Sequence, residues 1–367
     1  MPVCRRECKV DDKDTAATVE TLTEIWQRVL QRSPILPADN FFDLGGSDRQ
    51  ADKIFSQIAQ VCGRELPSAT ICHAPTLAAL ATLLQQPALP QFSPFVQLRA
   101  GSVSPPILIA HGLGGRASFF ELAQHISTGH PIYGIQAKGV DGMEQPLERI
   151  EDMAALYLDT LNQLQSEEPY ILIGYSFGGL VALEMAHRLA QQGKNVALLV
   201  LIDTYPHPRY FPPGQRLWLG AKRVRGYVAA MQKMPFPRAF SQAVRSLKRR
   251  LHIAEAHGDL VLEQEARLSF AQTTLRVKQS DFVALARYRP RFYPGKIRFV
   301  RPEANSYLPN DPTSVWKRLA GELEVETVPG DHLGMVGTHF ESLAAVLTRY
   351  VEEAVGDGKS TSMKGGR

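Results

Sequence analysis

The stretch Tyr170-Ile171-Leu172-Ile173-Gly174-Tyr175-Ser176-Phe177-Gly178-Gly179-Leu180-Val181-Ala182-Leu183-Glu184-Met185-Ala186 decides the fold of this chain. Its first four residues read as a buried strand, Gly174 to Gly178 as a sharp turn, and the run from Gly179 as a helix. A serine held on so tight a turn projects its hydroxyl above a sheet, and small residues must flank it because a side chain there would meet the neighbouring strand and helix. The pattern is a nucleophile elbow with Ser176 as the candidate nucleophile. The bland alternative is a Gly-rich strand-to-helix connection with a buried serine.

Outward from the elbow, strands and helices alternate. Ile107 to Ala110 and Ile132 to Ile135 read as short strands, Phe119 to Ile126 and Met153 to Leu164 as helices, and Val196 to Ile202 as a continuous apolar strand. Uninterrupted apolar strands separated by helices predict a mostly parallel sheet covered on both faces, an α/β fold. Residues 215–288 break the rhythm with helical, basic stretches. It resumes at Ile297 to Val300 and Leu323 to Val328 and ends in a helix from about Phe340 to Ala354, with a polar tail over 356–367 expected to be disordered.

Ahead of the sheet, Val19, Leu22, Ile25, Trp26 and Val29 recur at helical spacing, as do Ile54, Ile58 and Val61, and Leu77, Leu80, Leu83 and Leu84. They predict a small helical bundle over 15–87. The Pro-rich segment around 88–94 reads as a linker, so the sheet domain spans 95–355.

Composition narrows the function classes. The charged start, Met1 to Asp14, lacks the apolar core of a signal peptide, and no apolar run reaches the roughly 18–20 residues that cross a bilayer, so a cytoplasmic protein with no membrane span is expected. Four irregularly spaced cysteines, Cys4, Cys8, Cys62 and Cys72, suit neither a disulfide framework nor a zinc site. The net charge is +4, but between Thr204 and Ala254 there is no Asp or Glu, while Arg216, Lys222, Lys248 and Arg250 stand among the cations there. Such a block suits an acidic partner or phosphate, or simply a solvated helical face; no nucleic-acid motif accompanies it, and no nucleic-acid partner is expected.

A serine hydroxyl is a poor nucleophile at neutral pH and needs a base, which in turn needs an orienting acid. Asp203 closes the strand ending at Ile202 and so lies at the same carboxyl edge as Ser176. Glu303 and Asp311, after the following strand, are the competing acids, and Asp203 is preferred. The base is assigned to His332, in Pro329-Gly330-Asp331-His332, on the loop after the last strand. His111 precedes the elbow, His187 and His252 look helical, and His339 has no strand before it. Donors for an oxyanion are expected from the backbone N–H of Phe177 and from the loop His111-Gly112-Leu113-Gly114-Gly115, with Leu113 preferred and Gly114 second.

Text spread over the whole sheet domain carries a resemblance: the His111–Gly115 loop, Tyr133-Gly134-Ile135-Gln136-Ala137-Lys138-Gly139, the elbow itself, Leu199-Val200-Leu201-Ile202-Asp203, and Pro329 to His332. From about Phe95 to Ala354 the chain resembles the thioesterase domains that terminate nonribosomal peptide and polyketide synthetases, a branch of the alpha/beta hydrolases. The resemblance implies an alpha/beta hydrolase with a helical lid at about 205–288, the acid on the strand after the elbow helix, no cofactor for the hydrolase, and release of an acyl or peptidyl chain from a phosphopantetheine thioester by water or an internal nucleophile. The implied partner is an acyl- or peptidyl-carrier protein or an upstream synthetase module.

The helical unit resembles the companion carrier domain through Asp39-Asn40-Phe41-Phe42-Asp43-Leu44-Gly45-Gly46. That family carries 4'-phosphopantetheine on a serine two places after the glycine pair; here Ser47 comes one place early and Asp48 holds the modified position. One residue turns a side chain by about 100 degrees on a helix. Attachment at Ser47 and an inert carrier are both open readings. Two further functions compete with the thioesterase: an oxygen esterase with a docking appendage, and a non-catalytic module of a biosynthetic assembly.

Overall fold

The computed structural model describes residues 15–64, 66, 68–72, 74–86, 92–116, 119–163, 168–232, 270–304 and 311–362. Helices α1 (Thr15–Leu30), α2 (Asp48–Cys62) and α3 (Leu77–Gln85) form the N-terminal bundle, with a 3-10 turn at Ser68–Cys72. Trp26, Leu22, Ile54, Ile58, Ile71, Leu77 and Leu80 fill its core, and Trp26 meets Phe41 edge-on at 5.6 Å. This is the heptad-like spacing of the sequence converted into one buried face per helix.

The sheet domain follows as β1 (Phe95–Arg99), β2 (Ile107–Ala110), α4 (Phe120–His125), β3 (Ile132–Ile135), α5 (Ile150–Gln163), β4 (Tyr170–Tyr175), α6 (Phe177–Gln191), β5 (Val196–Ile202), α7 (Pro213–Gln232), α8 (Phe270–Arg287), β6 (Tyr293–Pro302), α9 (Thr313–Trp316), β7 (Ala320–Val328), α10 (Gly334–Gly337) and α11 (Phe340–Ser362). The seven strands pair in the order β1-β3-β2-β4-β5-β6-β7, with β1 antiparallel to β3 and all other pairs parallel. Every residue of β2 and β4 is buried. Because the neighbours of β4 run parallel to it, the loops after β2, β4, β5 and β7 emerge at one edge of the sheet, where ligands bind in open α/β folds.

The structure differs from the sequence reading at three places. Strand β1 lies before the first strand the pattern picked out; as an edge strand it is buried only in part, so no continuous apolar run marks it. Residues 88–91 of the expected linker lie outside the described residues. The chain divides into two compact units, Met1–His207 with Leu268–Arg367, and Pro208–Arg267. Helix α8, assigned by the sequence to the lid over 205–288, therefore belongs to the larger unit, which holds both the bundle and the sheet: Val277, Asp281, Ala284 and Tyr288 make a buried stripe along it. Helix α11 runs on to Ser362, past the expected end at Ala354 and into the tail expected to be disordered. Anchoring by Leu343, Leu347, Tyr350 and Val351 nucleates that helix, and each further turn then adds a hydrogen bond per residue without a new nucleation cost. Among the described residues no helix is long and apolar enough to cross a membrane.

Candidate active site

Ser176 sits on the elbow between β4 and α6 with φ 54 and ψ −118, a positive φ for a residue that bears a side chain. Packing compels that strain. A Cβ on Gly178 would lie 2.2 Å from the His111 carbonyl oxygen, and one on Gly179 would lie 2.0 Å from Thr204 Oγ1, so α6 can approach β2 and β5 this closely only with glycine at both positions. The turn is anchored as well: the Ser176 N–H donates to the Ile202 carbonyl at 2.8 Å, and the Asp203 N–H to the Val300 carbonyl at 2.8 Å.

Asp203, with φ 41, is buried beneath the edge, and its Oδ2 accepts a hydrogen bond from His332 Nδ1 at 2.6 Å. A carboxylate only accepts, so the proton of a neutral imidazole sits on Nδ1 and Nε2 keeps its lone pair. The His332 side chain is 30% exposed, against 1% for Asp203, which leaves the imidazole open to a substrate and its anchor sealed from water. Of the acids considered, it is the Asp203 carboxylate that meets the imidazole. Glu303 joins the backbone ladder to Val328, and Asp311 Oδ1 accepts the N–H of Thr313 at the start of α9.

Tyr175, which sequence reasoning passed over, ties the elbow to the imidazole. Its ring stacks on His332 with centroids 5.0 Å apart at 23°, and its hydroxyl donates to the His332 carbonyl at 2.6 Å. Burial pushes this phenol further above its ordinary range, so it stays a donor. A large aromatic directly before the elbow serine was the signal available in the sequence. The structure thus brings Asp203, His332 and, through its chain neighbour Tyr175, Ser176 to one edge.

On the opposite side of the elbow the loop after β2 packs against α6. His111 is fully buried, donates through Nδ1 to the Gly112 carbonyl at 2.7 Å, and through Nε2 meets the Tyr157 hydroxyl at 3.3 Å. Burial lowers its pKa to about 4, so it is neutral, and Tyr157 is the donor of that pair. Phe177 opens α6, and its ring stacks on His111 at 6.1 Å. Leu113 is exposed, with Leu333 beside His332 also exposed. Gly114, the second choice for an oxyanion donor, gives its N–H to the Asp281 carboxylate at 2.9 Å. That bond removes it from the donors available to a substrate.

In the bundle, Ser47 is exposed and caps α2 from an extended backbone of φ −103 and ψ 163. Its N–H and its hydroxyl both donate to Gln50 Oε1, at 2.9 and 2.6 Å. The chemistry fits a phosphodiester there: an accessible hydroxyl stands at the N-terminus of a helix, where first-turn N–H groups favour negative charge. Asp48, at the position the resemblance reserves for the modified serine, begins the helix itself.

Comparison with known proteins separates the same two regions. Residues 105–350 match the family described as thioesterase domain, and residues 20–84 match the family described as phosphopantetheine attachment site. A dimodular nonribosomal peptide synthase of Bacillus subtilis is 30% identical over 323 residues, covering 83% of this chain and 13% of that protein. An indigoidine synthase of Streptomyces lavendulae is 34% identical over 187 residues, covering 50% of this chain and 15% of the relative. The chain therefore spans less than a sixth of either relative. A solved four-domain nonribosomal peptide synthetase shares the fold at 22% identity and a TM-score of 0.55, covering 96% of this chain and 26% of that one.

Proposed function

The chain belongs to the thioesterase domain family, joined to a phosphopantetheine-type carrier unit, and from that premise we propose that it releases an acyl or peptidyl chain from a carrier thioester through an acyl-serine on Ser176. The observation that carries this reading is the 2.6 Å hydrogen bond from His332 to buried Asp203, made at the sheet edge where the strained elbow holds Ser176.

In this mechanism His332 Nε2 takes the proton of Ser176 Oγ as that oxygen adds to the thioester carbonyl. The N–H groups of Phe177 and Leu113 hold the oxyanion; the first stands at a helix N-terminus, where the dipole favours negative charge. Collapse of the tetrahedral adduct breaks the C–S bond, and the imidazolium protonates the departing thiolate. A water, or a nucleophile within the acyl chain, then gives its proton to His332 as it attacks the acyl-serine carbonyl; collapse breaks the C–Oγ bond, and the imidazolium returns its proton to Ser176 Oγ, yielding the free acid or a ring. Asp203 fixes the tautomer and stabilises the imidazolium throughout. The thioester comes from a carrier protein or from an upstream module of a synthetase.

The test is labelling by a fluorophosphonate probe. Wild-type protein gains one adduct on Ser176, and Ser176→Ala gains none while keeping its fold; undiminished labelling of the variant sinks the mechanism. Hydrolysis of acyl-N-acetylcysteamine thioesters faster than the matching oxygen esters supports the thioester assignment, and the reverse preference supports an esterase.

Ser47 is the residue that would carry 4'-phosphopantetheine, which when bound supplies a thiol on a long arm. Its support is the exposed hydroxyl at the N-terminus of α2. Incubation with a pantetheinyl transferase and coenzyme A is expected to add one pantetheinyl group by intact mass, lost in Ser47→Ala. No gain in the wild type makes the unit an inert carrier.

A further inference from the structure

Beyond the triad, the loop after β2 meets a buried acid that the mechanism does not use. Asp281 on α8 is fully buried. Its Oδ2 accepts the Gly114 N–H at 2.9 Å, a contact across 167 residues of chain, and among the described residues its Oδ1 has no hydrogen-bond partner. Burying a carboxylate with an unfilled lone pair is costly, so the single bond it does make to the loop after β2 calls for an explanation.

That loop lacks a ladder of its own. Gly114 has φ +99 and Gly115 φ +78, two successive conformations that glycine adopts without strain, so side-chain sterics do little to fix the peptides on either side of Gly114. Within the loop the Gly115 N–H reaches the Gly112 carbonyl only at 3.3 Å, while the Gly115 carbonyl accepts the Ala137 N–H at 2.8 Å. Helix α8 supplies what is missing. Thr274, Val277 and Asp281 lie on one face of it, three and four residues apart. A Cβ on Gly114 would stand 3.5 Å from Thr274 Cγ2, and one on Gly115 2.7 Å from Val277 Cγ1. Two of these side chains mould the loop by contact. The third holds it by a hydrogen bond.

We propose that Asp281 is a positioning residue for the oxyanion loop: by accepting the Gly114 N–H it locks the peptide between Leu113 and Gly114 and keeps the neighbouring Leu113 N–H directed at the acyl carbonyl. The flipped peptide would withdraw the Gly114 N–H from Asp281 and forfeit that hydrogen bond. The Gly114 donor is spent in the lock, and the loop contributes Leu113 alone. This inference rests on the acyl-serine reading of Ser176 and adds to it the device that holds one half of the oxyanion site.

Full-length Asp281→Leu and Asp281→Asn test it, with Asp281→Ala as a second variant lacking an acceptor, each first checked for cooperative thermal unfolding. Steady-state hydrolysis of an acyl-N-acetylcysteamine thioester is expected to lose roughly 100-fold in kcat for Leu and Ala, the scale of a lost oxyanion donor, with KM nearly unchanged. Asparagine, whose carbonyl oxygen still accepts the Gly114 N–H, is expected to stay within about tenfold of wild type. A folded Leu or Ala variant with wild-type kcat, a loss confined to KM, or an Asn variant as impaired as Leu overturns the inference. The two readings fail separately: fluorophosphonate labelling that persists in Ser176→Ala removes the mechanism whatever position 281 does. Labelling that is confined to Ser176, with wild-type turnover in Asp281→Leu, removes only the positioning role.

Discussion

Replacing Asp281 by asparagine makes a second, purely thermodynamic prediction. Burial pushes the Asp281 carboxyl from its ordinary 3.8 up to about 7, and the Gly114 N–H opposes this only in part. The folded protein therefore holds that proton more tightly than the unfolded chain does. The sign follows from linkage: the contribution is fully favourable below the unfolded pKa and is lost as pH rises through the folded one. At about 1.4 kcal/mol per pH unit, the displacement from 3.8 to about 7 amounts to about 4 kcal/mol for a carboxyl that is fully buried. Asparagine does not titrate. The unfolding free energy of the wild type, measured against that of Asp281→Asn, is thus expected to fall by about 4 kcal/mol between pH 4 and pH 8 and to level off above. Asp43, also raised to about 7 by burial and by neighbouring Glu121, is common to both proteins and cancels in the difference. Urea unfolding of the pair at unit steps of pH measures it directly. A difference that stays constant to within about 1 kcal/mol, or that grows in favour of the wild type as pH rises, refutes the reasoning.

Two further substitutions probe the site. Asp203→Asn removes the acceptor that fixes the His332 tautomer and is expected to lower kcat by about 10³ to 10⁴ while leaving KM and the circular dichroism spectrum close to wild type; a loss below about tenfold in steady-state kinetics counts against its role. Gly179→Ala places a Cβ 2.0 Å from Thr204 Oγ1 and 2.6 Å from Thr204 Cγ2, inside the packing of α6 on β5. It is expected to cost 3 kcal/mol or more, at the upper end for overpacking of a core, and thermal unfolding reads the loss.

The sheet and its elbow were legible because burial on both faces forces continuous apolar runs. Ile107 to Ala110 and Tyr170 to Tyr175 are buried along their whole length, so composition alone marks them as interior strands. Asp203 was legible because it directly follows the apolar run of β5, and His332 because it stands on the loop after the last strand, β7; parallel pairing carries every strand's carboxyl end to the same edge. Strand β1 escaped notice because an edge strand with one covered side needs only alternate apolar positions, and Phe95 to Arg99 is too short to establish a period. The extension of α11 to Ser362 escaped for the opposite reason. Its polar composition argues against a helix in isolation, but the chain is already nucleated by the buried residues from Leu343 to Val351.

Asp281 shows what a pattern of faces cannot contain. An acid inside the stripe Val277, Ala284 and Tyr288 is a visible anomaly, yet its partner is a backbone N–H 167 residues away, and backbone donors leave no mark in a sequence. The comparison with Asp203 explains why two buried acids beside one site take different parts. Asp203 faces an imidazole that becomes cationic during the reaction, so its negative charge is matched in the transition state. Asp281 stands behind the loop that receives the oxyanion, where a full negative charge would oppose the charge developing on the substrate. Burial that lifts its pKa to about 7 weakens that opposition, while its carbonyl oxygen accepts the Gly114 N–H whether or not the carboxyl is ionised. An acid suited to that position is one that binds through geometry and has its charge reduced by burial.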